Sequence, residues 1–341
     1  MPDSSRSFCV YCKDVEINDA TFRYLEIIRG GLRDAGLRDL GCTQDRRLLR
    51  QCDFVVTING LPATRAILLH PRATLVHWFQ GIEAVERRFL HKGWRGWGRW
   101  VLWRLMELLV LRRARAKLFV SQQMRIFLHD KDLPDRPSLV IPCYNVDIGD
   151  IAASRPDRYS RIDMVYAGSL YSWQCVQQSL EAYRVVRQAR PDATMTIFTR
   201  EVARAVEICK GMGLPEVRVE EVAPAQLIER LQQFSFGFIL REAMDINEVS
   251  TPTKFSSYLG AGVIPVMTKA TPALAAMAAD VHYQITVDDP SCSADIAERM
   301  LAIASRAPSP AEVDASFRAI FAKYFDDAVH RRRIAGMIKG L

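Results

Sequence analysis

The 341-residue sequence predicts an α/β protein made of two doubly wound halves, Rossmann-like and facing a cleft. Short β-branched or aromatic runs alternate with helical stretches along the chain, and Gly, Asn-Gly or Pro turns punctuate them. A polar stretch at 147–163 interrupts the alternation midway. Alternation of this kind gives a parallel sheet with helices on both faces. The length suits two domains of about 150 residues. Ligands of such halves bind at the carboxyl ends of the strands.

In the first half, 8–11 reads as a short strand and 21–35 as a helix stopped by Gly36. Phe54-Val-Val-Thr-Ile is a β-branched run ending at the turn Asn59-Gly60, and 74–79 is a strand closed by Gln80-Gly81. Residues 117–121 form a strand that runs into a helix over 122–128, and 138–142 is the last strand. In the second half, strands over 163–167, 193–198, 217–219, 236–240 and 263–267 alternate with helices over 173–189, 201–212, 224–232, 251–260 and 272–279. Pro252 falls in a first helical turn, where proline is tolerated. The tail, 310–341, is helical and basic. These elements divide the chain into an N-terminal domain (1–146), a linker (147–162), a C-terminal domain (163–322) and a C-terminal helix (323–341), expected to pack back on the first domain.

Hydrophobic residues make up 49% and charged residues 25%, which excludes a disordered or fibrous chain. Eight scattered cysteines and a start without an apolar export region point to free thiols in a reducing cytoplasm. Cys9-x-x-Cys12 lacks a second pair or nearby histidines, so no zinc is expected. Asp130-Lys131-Asp132 matches an Asp-x-Asp metal pattern but not its usual surroundings, and no metal is assigned to it. No Walker loop, Gly-x-Gly-x-x-Gly or His-Glu-x-x-His occurs.

The charge is uneven. Residues 87–117 carry ten basic side chains against the single Glu107, a net +9, so the rest of the chain sums to −2 out of +7. Four of the six tryptophans, Trp94, Trp97, Trp100 and Trp103, stand among these cations. The apolar run 100–111 is broken by Arg104 and Glu107 and falls short of the roughly 20 residues that span a bilayer. It reads as a helix lying on an anionic membrane surface through Trp94, Arg95, Trp97, Arg99 and Trp100. A core helix with a solvated basic end is the alternative, with Val101, Leu105, Leu108 and Leu109 inward. No nucleic-acid-binding fold accompanies the patch, so no nucleic-acid partner is expected.

The chemistry concentrates in 236–267. A buried strand ends at Arg241, a loop holds Asn247, Ser250 and Thr251, and Pro252-Thr253-Lys254 opens a helix. An Arg at a strand end beside a helix start rich in Thr and holding a Lys suits a diphosphate. A surface Arg and Lys beside a capped helix is the plainer reading.

The run Arg241…Asn247-x-x-Ser250-Thr-Pro-Thr-Lys254…Tyr258-Leu-x-Ala-Gly-Val-x-Pro265-Val resembles the donor-binding segment of family 4 GT-B glycosyltransferases. Tyr166-Ala-Gly168-Ser169-Leu170 resembles their glycine turn. Trp78-Phe-Gln80-Gly81-Ile82, with Glu86 beyond, resembles an acceptor-domain loop of one subgroup. Val120-Ser121…Met124 and Ile141-Pro-Cys-Tyr-Asn145 follow in the same order. The resemblance implies a retaining, metal-independent transfer of a sugar from a nucleotide-sugar, UDP- or GDP-linked, with no further cofactor. Arg241 and Lys254 would neutralise the leaving diphosphate. Gly168, Ser169, Asn247, Ser250, Thr251, Pro252, Thr253 and Ser257 would bind the donor. His77, Trp78, Gln80, Gly81, Glu86 and Asn145 would face the acceptor. Ser257 replaces the Glu that usually holds the ribose hydroxyls. With the basic segment, the family implies a lipid-linked saccharide acceptor in surface polysaccharide assembly and a peripheral place on the inner face of the plasma membrane. A non-catalytic GT-B subunit and a nucleotide-sugar 2-epimerase remain alternatives.

Overall fold

A computed structural model describes residues 6–12, 19–90, 93–129 and 135–341. Asp130-Lys131-Asp132 lies outside them, as does the side chain of Arg95. The chain divides into two compact units, one of 1–143 with 248–251 and 326–341, the other of 144–247 with 252–325.

The first unit runs β1 (Ser7–Tyr11), α1 (Asp19–Asp34), β2 (Arg38–Thr43), α2 (Arg46–Leu49), β3 (Phe54–Thr57), α3 (Gly60–Leu69), β4 (Thr74–Phe79), α4 (Glu83–Leu90), α5 (Gly93–Arg113), β5 (Ala116–Phe119), α6 (Gln122–Leu128) and β6 (Ser138–Val140). Its strands form one parallel sheet in the order β2-β1-β3-β4-β5-β6. Sequence reading misses β2, an edge strand whose Arg-Asp-Leu-Gly-Cys-Thr is half-exposed and lacks apolar alternation. It also takes Asn59-Gly60 for a turn only, whereas α3 starts there. Asn59 makes no side-chain cap, and the Gly60 N–H donates instead to the Glu83 carboxylate at 3.1 and 3.2 Å. A cap supplied from a distant residue leaves no local signal.

The second unit runs β7 (Asp163–Ala167), α7 (Val176–Ala189), β8 (Thr194–Phe198), α8 (Val202–Gly211), β9 (Arg218–Glu220), α9 (Leu227–Leu231), β10 (Phe236–Ile239), α10 (Asp245–Glu248), α11 (Lys254–Gly260), β11 (Ile264–Thr268), α12 (Pro272–Ala278), β12 (Ile285–Val287), α13 (Ser293–Arg306) and α14 (Pro310–Tyr324). Its parallel sheet has the order β12-β11-β10-β7-β8-β9. Strand order reverses between β7 and β10, the switch point where doubly wound sheets open a ligand crevice. The helix expected over 173–189 is broken at Cys175, whose φ of +51° separates a single 3-10 turn from α7. The helix expected to open at 251 begins at Lys254 and is seven residues long.

Residues 144–162 carry neither helix nor strand. They are nevertheless fastened: buried Arg158 donates to Phe234 O and Ala261 O at 2.8 and 2.7 Å, and Tyr159 Oη to Gly262 O at 2.7 Å. The final helix, α15 (Asp327–Lys339), belongs to the first unit and packs on α1. Arg331 pairs with Asp34 at 2.7 Å, and Ile334 lies so close to Gly31 that a Cβ there would clash at 2.6 Å.

Candidate functional site

The strand ends of the second unit bring Gly168, Ser169, Thr253, Lys254 and Ser257, among the predicted donor-side residues, to one cavity. β7 ends at Ala167, and Gly168 follows with φ +146°. A Cβ there would stand 2.6 Å from Lys254 Cε and 2.7 Å from its Nζ, so the turn needs glycine on both counts. Lys254, the first residue of α11, donates from Nζ to Gln174 Oε1 at 2.6 Å and stands 4.0 Å above the Tyr166 ring. Gln174 Nε2 in turn donates to Ser169 Oγ at 3.0 Å. Tyr258 Oη accepts from Ala167 N at 3.0 Å and reaches Phe238 O at 3.4 Å, bridging β7 and β10.

Arg241 follows β10 and is 6% exposed. Its backbone N–H and carbonyl both bond Thr268 Oγ1, at 3.0 and 2.9 Å. Its Nε is buried without a hydrogen-bond partner among the described residues. Burial, then the neighbouring Arg241, holds the Lys254 pKa well below its ordinary value, and burial lowers that of Arg241. Neither cation has an ion-pair partner among the described residues. Two buried basic groups without an ion-pair partner are costly to charge and suit a site completed by an anion.

Lys254, Gly168 and Ser169 line one end of a cavity of about 420 Å³. Asn145, Thr253 and Ser257 also line it, and Phe198, Val222, Pro224, Leu227 and Leu231 give it an apolar end, beside which stand the charged Arg200 and Glu221. Sequence reading misses that end, although it sits at the carboxyl ends of β8 and β9, where the fold rule points. Gln174, read in the sequence as standing near the place of a lysine in many members of the family the chain resembles but not counted among the donor residues, accepts from Lys254 Nζ and sets its position. Ser256 and Ser257 each place Oγ within reach of Asn145 Oδ1, at 3.2 and 3.1 Å, and of Thr253 O, at 2.9 and 3.0 Å.

Other residues fall elsewhere. Asn145, expected on the acceptor side, stands beside Ser257 in the second unit. Ser250 and Thr251 belong to the first unit, where Thr251 Oγ1 accepts from Cys143 N at 3.0 Å. Asn247 is buried and donates to Glu242 O and Trp173 O, pinning loops rather than lining the cavity. Pro252 precedes α11 and does not line the cavity.

In the first unit, His77, Gln80 and Gly81 adjoin Glu83 and Glu107 around a small cavity at the end of β4. His77 Nδ1 lies 2.7 Å from Thr57 Oγ1, and burial pushes its pKa down to about 3, so it is a neutral hydrogen-bonding group and not a base near pH 7. Trp78 is 2% exposed and stacked on Tyr24 at 3.7 Å, a core residue rather than a ligand surface. Gly81 leaves room for the Glu86 carboxyl. Burial raises the pKa of Glu83 to about 7 and also raises those of Glu86 and Glu107.

Along α5, Trp94 and Trp97 are 80% and 61% exposed, as are Leu102 and Leu105 at 56% and 60%. Arg99 is exposed, and half-buried Trp100 carries the Arg88 guanidinium 5.9 Å over its ring. Leu105, placed inward in the core-helix reading, faces out, while Glu107, Val110 and Leu111 are buried. Among the described residues no helix is long and apolar enough to cross a membrane.

The fold can be compared with solved structures. HepE of Anabaena in complex with UDP-glucose matches with a TM-score of 0.69 at 13% identity, over 98% of this chain and 100% of that one. The chain has the GT-B fold. WaaG, a glycosyltransferase involved in lipopolysaccharide biosynthesis, matches with a TM-score of 0.66 at 13% identity, over 98% and 100%. A point mutant of TarM from S. aureus, in complex with fondaparinux, α-GlcNAc-glycerol and UDP, matches with a TM-score of 0.61 at 9% identity, over 83% of this chain and only 55% of TarM. No family model and no curated protein matches the chain.

Proposed function

We propose that the protein is a retaining glycosyltransferase of the family 4 type, moving a sugar from a nucleoside-diphosphate donor to a saccharide acceptor held at a membrane. The observation that carries this reading is the second-unit cavity, which joins the buried Lys254 amine, without an ion-pair partner among the described residues, to an apolar end. The base enters the apolar end among Phe198, Val222 and Leu227. The diphosphate reaches Lys254, Arg241 and the N–H groups at Gly168 and Ser169. HepE, similar in fold, is bound to UDP-glucose, which favours a UDP donor over GDP.

The acceptor hydroxyl attacks the anomeric carbon from the face the diphosphate leaves. The new C–O bond forms as the old one to the diphosphate breaks, and the hydroxyl proton passes to the departing phosphate. Lys254 and Arg241 stabilise the charge growing there, worth about 3 kcal/mol for one well-placed donor. No carboxylate pair is required, unlike glycoside hydrolysis. The exposed indoles and arginines of α5 would hold the enzyme peripherally on anionic lipid, consistent with surface polysaccharide assembly. The test is a thermal-shift screen of UDP, GDP, CMP and dTDP, with and without magnesium, followed by turnover of UDP-sugars. A ligand specific for the folded state raises the midpoint. A shift with one diphosphate, lost in Lys254→Ala, supports the donor site, and Arg241→Ala lowers turnover about a hundredfold. No shift with any nucleotide overturns the enzyme reading in favour of a non-catalytic subunit.

A further inference from the structure

The first unit has a second strongly charged cavity, at the amino ends of its strands. Three consecutive connections each deliver arginine there. Arg72 precedes β4, Arg112, Arg113 and Arg115 precede β5, and Arg136 precedes β6. The connections lie side by side: Arg115 N donates to Leu75 O at 2.8 Å and Lys117 N to Pro137 O at 3.0 Å. All five arginines line a cavity of about 540 Å³, with His70 and no acidic side chain, although Leu341, which carries the terminal carboxylate, also lines it. That volume suits a small-molecule ligand. Asp135, next to Arg136 in sequence, lines an adjoining cavity that Arg136 also lines. The Arg113 guanidinium donates to Pro71 O at 3.1 Å, and Arg136 Nε is buried without a partner among the described residues. No ion pair reaches any of the five among those residues.

Adjacent strands are about 5 Å apart, and the screening length at physiological salt is about 8 Å. Four of the five, Arg72, Arg112, Arg113 and Arg115, are exposed and Arg136 is half-buried, so water and salt temper their mutual repulsion, which an entering anion would relieve. Planar guanidinium forks match phosphate oxygens in pairs. No Phe, Tyr or Trp lines the cavity, which leaves no stacking platform for nucleic-acid bases.

We infer that this cavity is a binding site for a small polyanion carrying two or more phosphate groups, separate from the donor cavity of the second unit. The phosphates belong either to a soluble molecule or to a lipid head group, a shared chemistry that the experiment separates.

The test titrates pyrophosphate into the full chain by calorimetry, beside orthophosphate and beside the variants Arg112→Gln/Arg115→Gln/Arg136→Gln and Lys254→Met. Pyrophosphate should bind at least tenfold tighter than orthophosphate. The triple variant should lose at least tenfold, while Lys254→Met keeps this binding. Because the arginines repel, the triple variant should unfold at the same or a higher temperature in low salt, which a structural role would not allow. Equal pyrophosphate affinity in wild type and triple variant overturns the site, as does loss that follows Lys254→Met instead. A triple variant that fails to fold also overturns it, unless the matching Arg→Lys variant folds and binds. Flotation with phosphatidic acid vesicles then names the source. Release by pyrophosphate assigns the phosphates to a lipid, and retention assigns them to a soluble ligand.

Discussion

Lys254 gives the sharpest test of the donor cavity, because its charge state has to change when a diphosphate arrives. In the free protein, burial and Arg241 hold its pKa well below the ordinary 10.5, and its Nζ donates to the neutral Gln174 and stands over the Tyr166 ring. A phosphate oxygen about 4 Å from the ammonium returns roughly 4 kcal/mol at an effective dielectric of 20. That favours the protonated form by roughly a factor of 1000. Nucleotide binding in the window between the depressed value and 10.5 therefore takes up as much as one proton. Above about pH 7.5 the terminal phosphate, whose own second pKa is about 6, is already ionised and does not confuse the count. Calorimetry in two buffers of different ionisation enthalpy reads the proton number directly. The expected result is an uptake approaching one proton at alkaline pH, absent in Lys254→Met, with affinity falling as pH rises. The sign agrees with stability. In that window the unfolded chain holds the extra proton, so the free protein gains stability as pH rises, and bound nucleotide flattens the slope. Tight binding with no uptake, or the same uptake in Lys254→Met, would refute the reasoning.

Three more outcomes follow from the packing. Gly168→Ala forces a side chain into φ +146° and against Lys254. It should cost about 1–3 kcal/mol, about 2–4 °C of melting temperature per kcal/mol, and weaken diphosphate binding more than tenfold. A thermal melt and a titration check both, and a variant like wild type in each would mean the turn does not need glycine. Glu83 has a folded pKa of about 7 against an ordinary 4.5, so between those values the folded state holds the extra proton and stability falls as pH rises. Glu83→Gln should remove a slope of up to about 1.4 kcal/mol per pH unit there and be the more stable protein at pH 8, as denaturant titrations at several pH values would read. Trp94→Ser/Trp97→Ser should release the protein from anionic liposomes without changing its melting temperature, since both rings are mostly exposed. Undiminished flotation would remove α5 from the membrane reading.

The alternation of strands and helices was legible in the sequence because parallel strands, buried on both faces, read as apolar runs. Phe236-Gly-Phe-Ile and Ile264-Pro-Val-Met-Thr are fully buried and easily seen. Elements that depend on distant partners were not. α3 takes its cap from Glu83, and β2 is a half-exposed edge. Of the donor cavity, Lys254 was visible at a helix start, as was Arg241, buried at a strand end outside the lining. The apolar end was not, because Phe198, Val222 and Leu227 come from three separate segments that only the sheet order brings together. Trp78 and Asn145 show the limit of a motif. The order of residues along the chain marked both, but the core claims the Trp78 side chain and the second unit claims Asn145.

Asn145 also bears on the serine that stands where a carboxylate usually holds the ribose. Ser256 and Ser257 each have one hydroxyl proton, and each lies within hydrogen-bond reach of two oxygens, Thr253 O and Asn145 Oδ1. One proton cannot serve both. If the hydroxyls donate to Thr253 O, as serines near a helix start commonly do, the bonds to Asn145 require its amide nitrogen to face them. The amide donates to both serines once it is turned, and amide orientation follows from the hydrogen-bond network. Its oxygen is then free of both serines, on a residue that lines the cavity. Under the proposed function, Asn145 offers a neutral acceptor where the family the chain resembles usually has a carboxylate at the position of Ser257. A neutral acceptor binds a hydroxyl less strongly than a charged one does. It also brings no negative charge to compete with the diphosphate for Lys254. Under the proposed function, a serine at this position shifts binding strength from the sugar of the nucleoside toward its phosphates.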